Sequence, residues 1–181
     1  VTTPPAIADS DRDLLLSRIR DVPDWPEPGV VFKDITPLLR DPAAFDTMTE
    51  LLGAVGGDDV DVVVGIEARG FILGAPVAHR LGAGFVPVRK QGKLPWQTTA
   101  ASYSLEYGEA TIEVHVDAFQ PGERVLIVDD VLATGGTVRA TVDLVRGAGA
   151  HVIGVGILME LGFLNGRDKL ADVNVHSLLL V

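Results

Sequence analysis

The chain has no cysteine. That excludes disulfide bridges, thiolate-held zinc and a cysteine nucleophile together, and is compatible with any redox compartment. It is also short of positive charge: 15 lysines and arginines stand against 25 aspartates and glutamates, a formal net charge of −10. A nucleic-acid-coating role is excluded on that ground, because affinity for a phosphate backbone rests on lysine and arginine. A small phosphorylated ligand is not excluded, since backbone amides and a few local cations can hold one. No apolar run approaches the roughly 18 residues of a membrane span, so no membrane partner is expected. Residues 1–12 show no basic stretch followed by an apolar one, so no signal peptide is read there and a cytoplasmic protein is expected.

What is present is enough for one domain: 181 residues, 47% of them hydrophobic. Ser10-Asp11-Arg12-Asp13 predicts a capping box, followed by an apolar helical face of Leu14, Leu15, Leu16 and Ile19. Three prolines and Gly29 in residues 22–29 break that helix. Asp41-Pro42 starts the next, whose rhythm runs through Phe45, Met48, Leu51, Leu52 and Val55. Residues 62–66 form a continuous apolar, β-branched run, the pattern of a strand covered on both faces. A helix over 70–81, a strand over 85–88 and a hairpin of 102–107 with 110–116 follow. Strands are expected at 125–128, 152–158 and 175–180, with a helix at 137–146. The alternation predicts an α/β fold, a parallel sheet with crossover helices. No repeat or long linker divides the chain.

The segment Val128-Asp129-Asp130-Val131-Leu132-Ala133-Thr134-Gly135-Gly136-Thr137 carries the most chemistry. A buried strand ends in two carboxylates, and a loop of small residues then opens a helix. Ligands of open α/β sheets bind at such strand ends. Gly135 and Gly136 let backbone approach a phosphate, Thr134 and Thr137 offer hydroxyls, and the helix start adds free amides and its positive dipole end. It is not a Walker loop, because no Gly-Lys-Ser/Thr follows. Asp129 and Asp130 suit vicinal ribose hydroxyls, or a magnesium ion shared with a diphosphate. On its own, an Asp-Asp pair is as readily the solvated start of a loop.

These residues resemble the phosphoribosyl-diphosphate signature of type I phosphoribosyltransferases. Beyond them the chain resembles the adenine phosphoribosyltransferase branch almost from end to end. The carrying segments are Pro26-Glu27-Pro28-Gly29-Val30-Val31-Phe32-Lys33-Asp34-Ile35, Glu67-Ala68-Arg69-Gly70-Phe71, Arg89-Lys90-Gln91-Gly92-Lys93-Leu94-Pro95, Ala101-Ser102-Tyr103-Ser104-Leu105-Glu106-Tyr107-Gly108, and Leu161 with Gly166-Arg167. The resemblance implies a twisted parallel sheet flanked by helices, with a small hood from about 1–36 and 159–167 and a mobile lid at about 91–109. It implies a purine salvage enzyme that converts adenine and 5-phospho-α-D-ribose 1-diphosphate to AMP and diphosphate, acting as a homodimer.

By the same resemblance Ala133, Thr134, Gly135, Gly136 and Thr137 hold the 5-phosphate, and Asp129 and Asp130 face the ribose hydroxyls. Glu67, Ala68 and Arg69 serve the diphosphate, often through a cis peptide, here between Glu67 and Ala68. Arg89, Lys90 and Lys93 add cations to the same end; as bare sequence they read as a solvated loop. Adenine falls to Val31, Phe32, Lys33, Val131 and Leu161. Lys33 stands where the family commonly has arginine, which is immaterial if that contact is made by backbone. Glu106 becomes the proton donor or acceptor for the purine, where alternation alone makes it a hairpin surface residue. Tyr107 either packs over the site or sits in the core. The histidines (His79, His115, His151, His176) show no metal-ligand spacing. Magnesium is therefore expected to arrive with the diphosphate, with no all-protein site. Two rivals remain: the same enzyme with xanthine or hypoxanthine, and a non-catalytic sensor of phosphoribosyl diphosphate. The Ser104-Leu105-Glu106-Tyr107 segment favours an enzyme.

Overall fold

Strands buried on both faces need two apolar layers, and β3 (Val62–Ile66) has them. Val62, Val64 and Ile66 point into one core cluster, while Val63 points into the other. The same alternation divides β7 (Arg124–Leu132): Val125 and Ile127 go to the first layer, Leu126 and Val128 to the second. The structure, a computed structural model, describes residues 7–104 and 109–181. The remaining elements are α1 (Asp9–Ser17), β1 (Arg20–Pro23), β2 (Val31–Asp34), α2 (Thr36–Arg40), α3 (Pro42–Ala54), α4 (Arg69–Leu81) and β4 (Gly84–Lys90). They continue with β5 (Thr98–Ser104), β6 (Glu109–His115), α5 (Gly136–Gly147), β8 (His151–Glu160), 3-10 turns at Gly162–Leu164 and Gly166–Leu170, and β9 (Val175–Leu180).

Seven strands order as β5-β6-β4-β3-β7-β8-β9. From β4 to β9 neighbours are parallel, and β6 is antiparallel to both β4 and β5. Helix α5 packs its Val138, Val142 and Val145 on one face. Leu15 of α1, Met48 and Leu52 of α3, and Leu73 and Val77 of α4 cover the other. This is the expected twisted parallel sheet between helices. No helix among the described residues is long and apolar enough to cross a membrane.

Several local expectations change. The capping box does not form: α1 starts at Asp9, its first turn closes on the Ala8 carbonyl, and no side chain caps it. Only Leu15 of its apolar face is fully buried, with Leu16 left 41% exposed. Asp41 does cap α3, accepting from the amides of Ala43 and Ala44 at 3.0 and 3.2 Å. The proline-rich break hides an antiparallel pair, β1 with β2, which stands apart from the main sheet. Strand β5 begins at Thr98 rather than 102, because it pairs with β6 from Thr98↔His115 onward. Strand β7 does not end at Val128: β8 offers parallel partners to Asp129, Val131 and Leu132.

One close approach sets the height of α4. A Cβ at Gly65 would lie 2.7 Å from the Gly70 carbonyl oxygen and 2.9 Å from the Phe85 ring. The first turn of α4 thus rests directly on the end of β3, and the residues between them are held over the sheet's edge. Gly65→Ala is expected to destabilise the protein by about 1–3 kcal/mol through overpacking. Urea denaturation with an unchanged m-value would measure it, and an unaltered midpoint would show that the helix can lift.

Candidate active site

The carboxyl ends of β3, β4, β7 and β8 share one edge because the strands are parallel. A hollow of about 430 Å3 opens there, with Glu67, Ala68 and Arg69 on one side and Asp129, Asp130 and Val131 on another. Ala133, Thr137, Lys90 and Tyr103 complete its rim. A smaller hollow of about 70 Å3 adjoins it inside the Ala133–Val138 turn. Two larger hollows, about 570 and 580 Å3, lie elsewhere, and neither holds paired carboxylates or a glycine loop at a helix start. Size alone does not identify the site; the chemistry of the lining does.

Asp129 Oδ1 accepts the Asp130 amide at 3.0 Å. Burial, and then the neighbouring Asp130 charge, push the Asp129 carboxyl well above the usual aspartate range. Burial also raises Asp130, while the Arg69 guanidinium opposes the rise. Arg69 Nε lies 2.7 Å from Asp130 Oδ2. That contact is not aligned as a hydrogen bond, so the buried oxygen still lacks a directed donor. Two adjacent acids that resist joint ionisation, one with a free acceptor, suit a ligand bringing hydroxyl donors or positive charge. Among the described residues no cluster of three or more His, Cys, Asp or Glu is placed to hold a metal. A carboxylate pair fits magnesium that keeps most of its ligands from water and a diphosphate.

The glycine loop opens directly onto a helix start, an arrangement able to hold an anion. Gly135 takes φ +77° and precedes α5, whose first-turn amides have no partners within the helix. The Arg139 amide closes that turn on the Gly135 carbonyl at 2.9 Å. The reason for glycine at 135 differs from the expected one. A Cβ there would overlap the Gly166 carbonyl behind the loop rather than obstruct the hollow. Thr137 Oγ1 donates to the Tyr103 hydroxyl at 2.9 Å, tying α5 to β5.

The expected diphosphate residues separate into two groups. Ala68, Arg69 and Lys90 line the hollow, and the Glu67–Ala68 peptide is cis. Glu67 also borders it, and its carboxylate accepts from Arg89 Nε at 3.1 Å and from the Lys90 amide at 3.0 Å. Arg89 in turn donates to the Lys93 carbonyl at 3.0 Å. Arg89 and Lys93 do not line the hollow: Arg89 is paired with Glu67, and Lys93 meets Arg89 through its backbone carbonyl. The base residues divide likewise. Val131 lines the hollow, and the Leu161 amide joins it to the Leu132 carbonyl beside it. Phe32 carries the Arg69 guanidinium 5.0 Å above its ring and packs edge-on against Trp25 at 4.5 Å. Val31 is exposed, and the Lys33 ammonium is held 2.7 Å from Asp21 across the hairpin. Glu106 and Tyr107 lie outside the described residues.

Three residues escaped the sequence reading. Tyr103 reaches the site although Tyr107 drew attention; its place in a family-like segment was the available signal. Gly166 had the same signal, in the Gly166-Arg167 segment, while Trp25 gave none because it matters through its ring contact with Phe32.

The phosphoribosyl transferase domain family matches residues 36–177. The adenine phosphoribosyltransferase of Thermobifida fusca is 62% identical over 174 residues, covering 95% of this chain and 99% of that protein. The crystal structure of adenine phosphoribosyltransferase from Rhodothermus marinus superposes with TM-score 0.92 at 54% identity, over 96% of this chain and 100% of that one. The Saccharomyces cerevisiae enzyme, solved with adenine and an imino-altritol bisphosphate, gives TM-score 0.89 at 38% identity, over 95% and 100% of the two chains.

The raised Asp129 pKa has a sign. The folded state holds this proton to higher pH than the unfolded state, so stability is lost as pH rises from the ordinary value of 3.8 through the raised one. Asp129→Asn, without ligand, is expected to melt higher at pH 7 by about 2–4 °C per kcal/mol relieved. The advantage should shrink as pH falls towards 3.8. Thermal unfolding at several pH values checks this; an equal or lower melting temperature at pH 7 would contradict it.

Proposed function

The chain belongs to the phosphoribosyltransferase family and converts adenine and 5-phospho-α-D-ribose 1-diphosphate to AMP and diphosphate; we propose that the carboxylate pair, the glycine loop and the β1–β2 hairpin divide that work. The observation carrying this division is the juxtaposition of a helix start behind a glycine loop with two adjacent carboxylates, that of Asp130 buried, the complement of a sugar diol bearing a 5-phosphate.

In this reading Ala133, Thr134, Gly135, Gly136 and Thr137 bind the 5-phosphate through amides and hydroxyls. Asp129 and Asp130 accept from the ribose hydroxyls. Ala68, Arg69 and Lys90 meet the diphosphate, and the Glu67–Arg89 pair keeps that loop in place. Adenine lies against Phe32, with Val131 and Leu161 closing its other side. Val31 and Lys33 contribute through backbone, which suits a lysine whose ammonium is already paired with Asp21. The purine N9 attacks C1 of the ribose as the C1–oxygen bond to diphosphate breaks, and the proton lost by adenine passes to Glu106. Cations around the departing diphosphate stabilise its growing charge. Magnesium, held with Asp129 and Asp130, supplies further charge neutralisation there when bound. A hood from 1–36 and 159–167, a lid at 91–109 that excludes water, a homodimer and a cytoplasmic site of action complete the reading, as the resemblance implies.

Two measurements test it. With the four common purines and magnesium, AMP formation from adenine is expected to exceed turnover of hypoxanthine, guanine or xanthine by a wide margin, and comparable use of a 6-oxopurine would overturn the assignment of the base site. Glu106→Gln preserves shape but cannot exchange a proton near neutrality. Its single-turnover rate should fall about 10²–10⁴-fold with melting temperature unchanged. A wild-type chemical step would remove Glu106 from proton transfer.

A further inference from the structure

Residues 161–166 leave the sheet at the end of β8 and return as the second 3-10 turn. The excursion is closed at its base by a fork. Arg167 Nε donates to Glu160 Oε1 at 3.1 Å and Nη2 donates to Oε2 at 2.6 Å. Ser177 Oγ of β9 donates to the same Oε2 at 2.6 Å. Arg167 Nη1 reaches on to the Val175 carbonyl at 2.7 Å. Glu160 is buried, so its charge is compensated only through these donors. A second tie fixes the far end, where Asp172 receives Arg139 and Arg146 from α5.

Between those ties sits Gly166, with its backbone against the back of the glycine loop. A Cβ at Gly166 would overlap the Ala133 carbonyl oxygen and lie 2.9 Å from the Gly135 amide nitrogen. Gly166 is not among the positive-φ residues, so distance, not dihedral angle, demands glycine there. The loop is thus pressed between its ligand side and a wall of backbone. If that wall moves, the left-handed turn at Gly135 loses its support, and the α5 amides lose their aim.

We propose that Arg167 and Glu160 are positioning residues for donor binding: their fork sets the height of Gly166, and Gly166 holds Ala133–Gly135 in the geometry that meets the 5-phosphate. This rests on reading that loop as the phosphate site. Neither side chain touches the hollow, so the effect must travel through the backbone contact. A simple staple would lower stability alike for every ligand, whereas a wall behind the loop acts on the phosphoribosyl donor first.

The test compares Arg167→Lys, which keeps the charge but loses the fork, with Glu160→Gln, Thr134→Asp and a remote control, Arg80→Ala. Among the described residues Arg80 pairs only with Asp46 and Glu50, on the helical surface. For the first two variants the KM for phosphoribosyl diphosphate is expected to rise about tenfold or more, with kcat and the KM for adenine within about threefold. Arg80→Ala should match the wild type in all three. A folded Arg167→Lys with a lowered melting temperature but unchanged donor KM would reduce the fork to a staple and overturn the proposal. If Arg167→Lys does not fold, Glu160→Gln decides by the same criterion. Calorimetric donor binding to folded Thr134→Asp, which sets a negative charge on the ligand side of the loop and leaves the Gly135–Gly166 contact alone, separates the two layers. Retained affinity there sinks the phosphate-loop reading itself. Affinity lost there but intact in the fork variants sinks only the positioning role.

Discussion

Two neighbouring aspartates sit where β7 leaves the core, and burying adjacent carboxylates costs free energy that the surroundings must offset. Arg69 supplies part of the offset by lying against Asp130, and that obligation shapes much of the site. Arg69 can reach only because α4 begins low on the sheet, which the bare backbone of Gly65 and Gly70 permits: a Cβ at Gly70 would stand 2.8 Å from Asp129 Oδ1. The same guanidinium spreads over Phe32 and so draws the β1–β2 hairpin towards the edge of the main sheet. One electrostatic requirement therefore links the central strand, the start of a helix and an N-terminal hairpin.

The compensation is incomplete, and that incompleteness is functional in character. Both carboxyls remain raised, and one oxygen has no directed donor. Such a site is less stable empty than filled, a familiar trade between stability and activity. The Glu67–Arg89 and Glu160–Arg167 pairs behave differently: each acid there is matched to an arginine fork or to amides and holds backbone in place. Acidic residues thus stand in two ways here, incompletely satisfied at the hollow and satisfied where they hold backbone beside it.

The layers of the fold were legible because burial on two faces leaves a plain apolar run, as in residues 62–66 and 125–128. The glycine loop was legible because its residue types are dictated locally. Strand ends were not: polarity made Asp129 look like loop, and only the parallel partner β8 shows why the strand continues. The β1–β2 hairpin was hidden because prolines mask alternation, and it is held by Trp25 on Phe32 and by Asp24 accepting the Gly29 amide at 2.8 Å. Charge runs were ambiguous for a similar reason. Nothing in Arg89-Lys90-Gln91-Gly92-Lys93 reveals that Glu67, far back in the chain, takes Arg89 and the Lys90 amide, or that Lys90 borders the hollow.

The wall behind the glycine loop also orders events in time. Ala133–Gly135 precedes Gly166 in the chain, and Arg167, beside Gly166, donates to the Val175 carbonyl of β9. A nascent chain that has exposed its glycine loop but not β9 has a phosphate cradle without a back. Substrates stabilise a protein by mass action only when they bind the folded form. On the proposed reading of the loop, the phosphoribosyl donor stabilises only a chain in which β9 already backs it. During synthesis the early strands must hold by their own packing.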